Sequence, residues 1–361
     1  MPLVKAAVCR AFNQPLVIEE IMLAPPRAGQ VEVSLDAVAV CHSDISFAEG
    51  AWGGHLPAVF GHEGAGRITA VGPGTMGFDL DDPVVVTLIR PCGGCLNCIT
   101  GHPTICTEPQ NTLDHPLSTA DGAPIFQAMD CAAFAEKVVV DASQIVKLPQ
   151  DMPRDAACLL GCGVITGVGA VVNAAQLRPG QDAVVIGAGG IGLNAIQGAR
   201  IAGARRIVAV DMTDDKLETA RAFGATHGVL ATGKAPWRDV QQALGRGADA
   251  VFVSVGSAAA YTVAPKYAGF GGKIVAIGMP HSGQTSEYEA VNLSFAGQKI
   301  IGSKMGDTVI QRDIPWMVDL YQQGRLKLED LISGRWRLDQ INDAMADTKA
   351  GGAKRNVILF D

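Results

Sequence analysis

Two rhythms of apolar and polar residues divide the chain. Through the first 150 residues the apolar positions fall in short stretches, the clearest being 31–40 (VEVSLDAVAV), which alternates as a half-buried strand does. Pro25-Pro26, Gly53-Gly54, Gly72-Pro73-Gly74 and Gly93-Gly94 punctuate these stretches, so many short strands joined by turns are expected. From residue 182 the rhythm changes. Apolar runs suited to buried strands fall at 183–186, 206–210, 249–255, 273–277 and 300–304, with a further candidate at 228–231. Helical spacing lies between them at 190–202, 216–223, 237–244 and 257–268. Strand and helix in alternation predict a parallel sheet covered on both faces. Beyond residue 305 the pattern loosens into one helix near 314–323 and a strand near 357–360, both expected to rejoin the first part.

Composition narrows the class. A chain of 361 residues is long enough for two domains. It is 48% hydrophobic and 18% charged, as in a globular enzyme rather than a disordered chain. The formal net charge of -7, with Lys and Arg scattered, argues against a nucleic-acid partner. The longest apolar run, 156–172, is interrupted by Gly161, Gly163, Gly167 and Gly169, so no membrane span is expected. The opening residues 1–8 carry one Lys and no apolar stretch of a secretory signal. Nine cysteines, an odd number, read as thiols and metal ligands rather than disulfides, which implies the cytoplasm.

Three groups of residues carry chemistry. Gly187-Ala188-Gly189-Gly190-Ile191-Gly192 is a G-x-G-x-x-G run between an apolar strand and a helix. Its glycines permit a tight turn and close approach of a pyrophosphate to a helix N-terminus. The next strand ends in Asp211, 19 positions after Gly192. A carboxylate there accepts bonds from the adenine-ribose hydroxyls and repels a 2′-phosphate, which favours NAD over NADP. Cys92, Cys95, Cys98 and Cys106 place four thiols within 15 residues, enough to close a tetrahedral zinc shell. An iron–sulfur cluster and a nucleic-acid-binding zinc ribbon are the rival readings. Cys41, His62 and Cys162 stand in separate motifs; two thiolates and an imidazole would hold a zinc with its fourth position open. Cys9, Cys131 and Cys158 are left as small core residues.

With these residues in place the chain resembles the zinc-containing medium-chain alcohol dehydrogenases, closest to the liver-type and glutathione-dependent formaldehyde dehydrogenase branches. The resemblance runs nearly end to end through CHSD (41–44), GHEGAG (61–66), CGGCLNC (92–98), GCGVITG (161–167), GAGGIG (187–192) and KRNVILF (354–360). It implies an α/β chain with a β-rich GroES-like catalytic domain over 1–163 and 303–361, a structural-zinc lobe near 90–110, and a doubly wound Rossmann domain over 164–302. It implies NAD and two zinc ions per chain, a small alcohol or aldehyde as substrate, and a homodimer or homotetramer paired through edge strands near 299–305. Cys41, His62 and Cys162 would hold the catalytic zinc, with Asp44 orienting His62, Glu63 behind the metal and Ser43 bonded to the substrate oxygen. Lys216 would contact the adenosine ribose, and Thr166 and Ile191 would press the nicotinamide. The backbone from Ile277 to Met279 would meet the carboxamide, and His42 and Arg355 the pyrophosphate. The chain departs from the liver-type pattern in three places: His42 stands where Arg is frequent, Ser46 replaces a relay histidine, and the segment from Cys106 to Phe134 is short. Leu88, Trp52 and Met279 are candidates for an apolar substrate pocket. A thiol-adduct formaldehyde dehydrogenase or S-nitrosothiol reductase is the neighbouring alternative. It would need an anchor such as His55 or Arg90. A non-catalytic NAD- and zinc-binding regulator is a more distant one.

Overall fold

The computed structural model describes residues 3–108 and 116–360. Positions 109–115, within the short segment after Cys106 and at the end of the expected zinc lobe, lie outside the described residues. The chain forms two compact units. One comprises Met1–Cys162, Val309–Gly324 and Leu328–Asp361; the other comprises Gly163–Thr308 and Arg325–Lys327.

The first unit is built from two β structures. Strands Leu3–Cys9, Val17–Leu23, Leu117–Ser118, Pro124–Gln127 and Ala58–Val59 close a small barrel. The larger sheet runs in the order Ile145–Lys147, Pro83–Val86, Gly64–Val71, Gln30–Val40, Arg355–Leu359 and Ile332–Arg337, with Lys137–Asp141 also paired to Gln30–Val40. The strand read from residues 31–40 is therefore Gln30–Val40, the hub of this sheet. Apolar side chains such as Val33, Ile68, Val86, Ile125 and Phe134 are buried in a core shared by barrel and sheet.

Register in this sheet decides where the chemistry sits. Val38 pairs with Gly64, and Gly64 pairs with Val86. Val40 pairs with Asn356 on the antiparallel strand from the far end of the chain. Residues just beyond these partners, Cys41, His62, Glu63 and Arg355, are thereby brought to one end of the sheet.

The second unit is a parallel sheet in the order His227–Leu230, Arg206–Asp211, Asp182–Ile186, Ala248–Val253, Ala268–Ala276 and Lys299–Gly302. Numbered along this unit, that is 3-2-1-4-5-6, the doubly wound order. Asp182–Ile186 is buried at every position, as a parallel strand covered on both faces requires. Helices Gly190–Ile201, Asp214–Phe223 and Pro236–Leu244 occupy the expected connections. The helix read over 257–268 is shorter, Ala258–Val263 followed by a single 3₁₀ turn, because Pro265 removes a backbone donor. The apolar run 156–172 folds as short, buried helical pieces, and among the described residues no single helix is long and apolar enough to cross a membrane.

Candidate active site and metal centres

In the first unit a short helix, His42–Ala48, starts immediately after Cys41. Asp44, in its first turn, is fully buried and folds back on that start. Its Oδ2 accepts the Cys41 N–H at 3.0 Å, while Oδ1 accepts the Gly61 N–H at 3.0 Å and contacts His62 Nδ1 at 3.1 Å. One carboxylate thus ties two chain segments together and fixes the face of the imidazole. Gly61 has φ +89°, and a Cβ there would lie 2.6 Å from the Phe134 backbone nitrogen, so no other residue fits before His62. A Cβ on Gly161 would stand 2.8 Å from both Glu63 Cα and Val86 O. That close approach delivers Cys162 to the same place.

The result is a buried cluster. Ligand atoms of Cys41, His62, Glu63 and Cys162 all lie within 4.8 Å of one another. The Arg355 guanidinium forms an ion pair with Glu63. His62 Nε2 is buried and has no hydrogen-bond partner. An unpaired ring nitrogen in a dry site costs free energy unless something else binds it. Cys41 is held well below the usual thiol range, first by the hydrogen bond from Cys162, which overrides burial, and then by His62. Cys162 is pushed up by the same bond and by burial. Burial opposes the charged form of His62, but the Asp44 carboxylate outweighs it and raises the imidazole. Burial pushes Glu63 up to about 7 against the pull of Arg355. Thiols competing for a proton beside an orphaned imidazole nitrogen are the donor set a soft divalent cation takes. The site fits zinc.

The four remaining clustered thiols sit on an exposed lobe. Cys92 and Cys98 sulfurs are 3.9 Å apart, as are those of Cys95 and Cys106. These distances are far beyond a disulfide bond and close to the ~3.8 Å edge of a tetrahedron of about 2.3 Å zinc–sulfur bonds. Backbone N–H groups of Gly94 and Cys95 point at the Cys92 sulfur, at 3.4 and 3.2 Å. Backbone N–H groups of Thr107 and Cys98 hold Cys95 down to about 5, whereas burial and the neighbouring sulfurs push Cys98 up to about 12. All four thiolates together require a cation, and the closed sulfur shell fits a second zinc.

In the second unit the glycine-rich turn follows Ile186 and caps the helix Gly190–Ile201 at Gly189. A Cβ on Gly189 would meet nothing within 4 Å, so no neighbour within the chain requires a glycine there. The open space suits a ligand approaching the helix N-terminus. Asp211, 7% exposed, accepts the Ala188 N–H through Oδ2 and the Met212 N–H through Oδ1, each at 2.6 Å. Lys216 is half-buried in the first turn of the following helix. Thr166 is buried with its hydroxyl 3.7 Å from the Met305 sulfur, Ile191 is half-buried, and Gly187 and Gly192 are buried. Ile277 and Gly278 donate backbone N–H bonds to Val253 O, while Met279 is exposed.

Of the candidates in the first unit, Ser43 is half-buried and His42 exposed on the helix after Cys41. Arg355 is brought to the Cys41–His62–Cys162 cluster and is itself buried, a pairing that sequence reasoning did not foresee. Arg90 faces Asp141 at 3.6 Å, and His55 is exposed against Phe126. Cys9, Cys131 and Cys158 are buried, and none of the nine cysteines is in a disulfide bond.

A doubly wound parallel sheet, a β unit with a buried Cys/His/Cys set, and a separate four-thiol shell together define a zinc-binding dehydrogenase. Comparison with known proteins agrees. Residues 27–150 match the alcohol dehydrogenase GroES-like domain and residues 190–323 the zinc-binding dehydrogenase domain. The chain is 34% identical to an S-(hydroxymethyl)glutathione dehydrogenase of Paracoccus denitrificans over 99% of both chains. It superposes with a TM-score of 0.96 on an alcohol dehydrogenase zinc-binding domain protein from Burkholderia ambifaria, at 32% identity over 100% of this chain and 99% of the other. For a benzyl alcohol dehydrogenase from Acinetobacter calcoaceticus the TM-score is 0.95, at 29% identity over the full length of both. The chain belongs to the zinc-containing medium-chain alcohol dehydrogenase family and is an oxidoreductase of that family.

Proposed function

We propose that this protein is an NAD-linked alcohol dehydrogenase that interconverts a primary or secondary alcohol with its aldehyde or ketone. The observation that carries the reading is the buried set Cys41, His62 and Cys162 with His62 Nε2 unpartnered. When bound there, zinc supplies a Lewis acid that lowers the pKa of a hydroxyl group, and NAD supplies the hydride acceptor. The chain's own groups do the rest. Asp44 sets the orientation of His62. Arg355 neutralises Glu63, which leaves the two thiolates and the imidazole as the three metal ligands. Ser43, two residues beyond Cys41, accepts and passes on the hydroxyl proton, since a hydroxyl donates and accepts at once. The glycine-rich turn with Asp211 holds the dinucleotide, its carboxylate discriminating against a 2′-phosphate.

The two compact units support a division into a catalytic and a cofactor domain near the expected bounds of 1–163 with 303–361 and 164–302, although residues 163, 303–308 and 325–327 group with the second unit. Phe47 meets Trp52 edge-on at 5.0 Å and stacks with Phe60 at 6.3 Å, packing the short helix after Cys41 against the core of this unit. The likeness to the Paracoccus denitrificans enzyme favours the thiol-adduct alternative, but Arg90, already paired with Asp141, is a weak anchor for a thiol cofactor. Nine free thiols suit a cytoplasmic setting. Purified enzyme should contain two zinc ions per chain and reduce NAD with benzylic and aliphatic alcohols without added thiol. Cys162→Ser should abolish turnover. Activity only with S-(hydroxymethyl)glutathione would select the alternative, and a zinc-replete enzyme inert toward both would refute catalysis.

A further inference from the structure

The order in which strands are added reverses between the parallel neighbours Asp182–Ile186 and Ala248–Val253, and the chain leaving each strand meets the other at this point. Crevices of this kind, at the carboxyl ends of the strands, are where ligands bind. Gly187 follows the first strand and Ser254 follows the second. The Ser254 hydroxyl lies 2.9 Å from both Ile186 O and Gly187 O and has one proton to share between them. Ile186 O already accepts the Ser254 backbone N–H at 3.0 Å, so Gly187 O is the acceptor that depends on the side chain.

Gly187 O and the Ala188 N–H belong to one peptide group. Its oxygen is held by Ser254 and its N–H by Asp211 Oδ2 at 2.6 Å. This plane is therefore gripped from opposite sides by residues from two different strands. Gly187 has φ +95°, a region where neighbouring peptides rotate at little cost unless something holds them. A flip would set the Gly187 carbonyl oxygen against the Asp211 carboxylate. The third glycine of the motif belongs to the same device, because a Cβ on Gly192 would lie 1.8 Å from Gly187 O and 2.9 Å from Ser254 Oγ.

We propose that Ser254 is a positioning residue for the dinucleotide, and that with Asp211 it clamps the Gly187–Ala188 peptide so that the turn is formed before the cofactor arrives. The proposal rests on the NAD reading of the turn. It gives Asp211 two separable duties: an acceptor for the Ala188 amide, which an uncharged side chain can fulfil, and a charge toward the ribose, which it cannot.

The test uses the zinc-loaded, cofactor-free enzyme. Ser254→Ala should speed hydrogen exchange at the Ala188 amide and weaken NAD binding, measured by calorimetry, by about tenfold, the scale of one lost hydrogen bond. In steady state the loss should fall on the NAD KM rather than on kcat or the alcohol KM. Ser254→Thr keeps the hydroxyl and should restore both amide protection and affinity to within about threefold. Asp211→Asn leaves one acceptor oxygen for the two amides, so Ala188 should be protected to a degree between wild type and Asp211→Ala, which loses the clamp altogether. Wild-type exchange and wild-type NAD affinity in Ser254→Ala would overturn the clamp, as would an Ala188 amide as well protected in Asp211→Ala as in wild type. A wild-type enzyme that binds no dinucleotide would sink the NAD reading instead, and the exchange data would still judge the clamp.

Discussion

At the scale of the residue, the acceptor capacity of single carboxylates organises this molecule. Asp44 serves two backbone amides and an imidazole, and Asp211 serves two backbone amides at the end of its strand. The residue types were legible in the sequence, as were the glycines, but their partners were not, since Gly61 lies 17 positions from Asp44 and Ala188 lies 23 from Asp211. Ser254 and the Arg355–Glu63 pair left no local signal. Only a fold that brings distant strands together makes a serine or an arginine at those positions matter. Ser43 is the residue whose chemistry is most open to a direct measurement. Its replacement by Ala is expected to lower kcat by roughly 100-fold, the usual contribution of a positioned proton-transfer group. Ser43→Thr should retain most activity. A single-turnover rate of NADH formation in Ser43→Ala close to wild type would leave water as the proton acceptor.

At the scale of the element, period and length decided what could be read. The inner strands of the parallel sheet stand out as apolar runs, and the helices Gly190–Ile201, Asp214–Phe223 and Pro236–Leu244 were located to within a few residues, whereas the short helix Ala290–Ala296 was missed. The strand Ile332–Arg337 was missed because it lies at an edge and alternates between half-buried and exposed residues that include Arg335 and Arg337. The helix Ile341–Ala350 was missed because only Ile341, Ala344 and Thr348 are buried along it. Strand ends carry stability that pattern does not reveal. Asp182, at the start of the first parallel strand, is buried and accepts from Arg205 Nε and Nη2 at 2.9 and 2.6 Å and from Arg246 Nε at 2.8 Å. Burial alone would raise its pKa, but the two guanidinium groups win and hold it below the ordinary Asp range. A depressed native pKa means this stabilisation is complete above the unfolded value of about 3.9 and is lost as pH falls through the native one. Both arginines are substantially exposed, so the contribution is about 1 kcal/mol after solvent screening. Asp182→Asn should therefore unfold more readily than wild type at pH 7, with the gap closing below about pH 3.9. An unchanged gap across that range would show that charge is not what Asp182 contributes.

At the scale of the whole molecule, the sheet of the second unit ends in two edge strands, His227–Leu230 and the more exposed Lys299–Gly302. Lys299–Gly302 is the last strand of the parallel sheet, and Phe270 and Phe295, 78% and 79% exposed, pack edge-on at 5.7 Å nearby in that unit, with Val291 also exposed. Exposed aromatic surface beside an open strand is a surface for pairing with a second copy. The protein should elute as a dimer or a multiple of one, and Phe295→Lys should shift it toward monomer by light scattering. A wild-type monomer at micromolar concentration would contradict this.

The position of Arg355–Leu359 in the first sheet has a consequence for how the protein comes into being. This strand lies between Gln30–Val40 and Ile332–Arg337, and it brings Arg355 to the buried Glu63. On the ribosome, the residues of Cys41, His62 and Cys162 emerge first, then the bulk of the parallel-sheet unit, and only afterwards the strand that completes the sheet around them. The long stretch 163–308 can fold as it emerges, whereas the first unit must wait with residues 37–40 of its hub strand unpaired on one side. During that interval the nascent chain exposes an open strand edge, the template on which two unfinished copies could join. Maturation of the metal site is thus tied to the emergence of residues 355–359. A ribosome stalled before codon 355 would hold a finished nucleotide-fold unit beside an unfinished metal site.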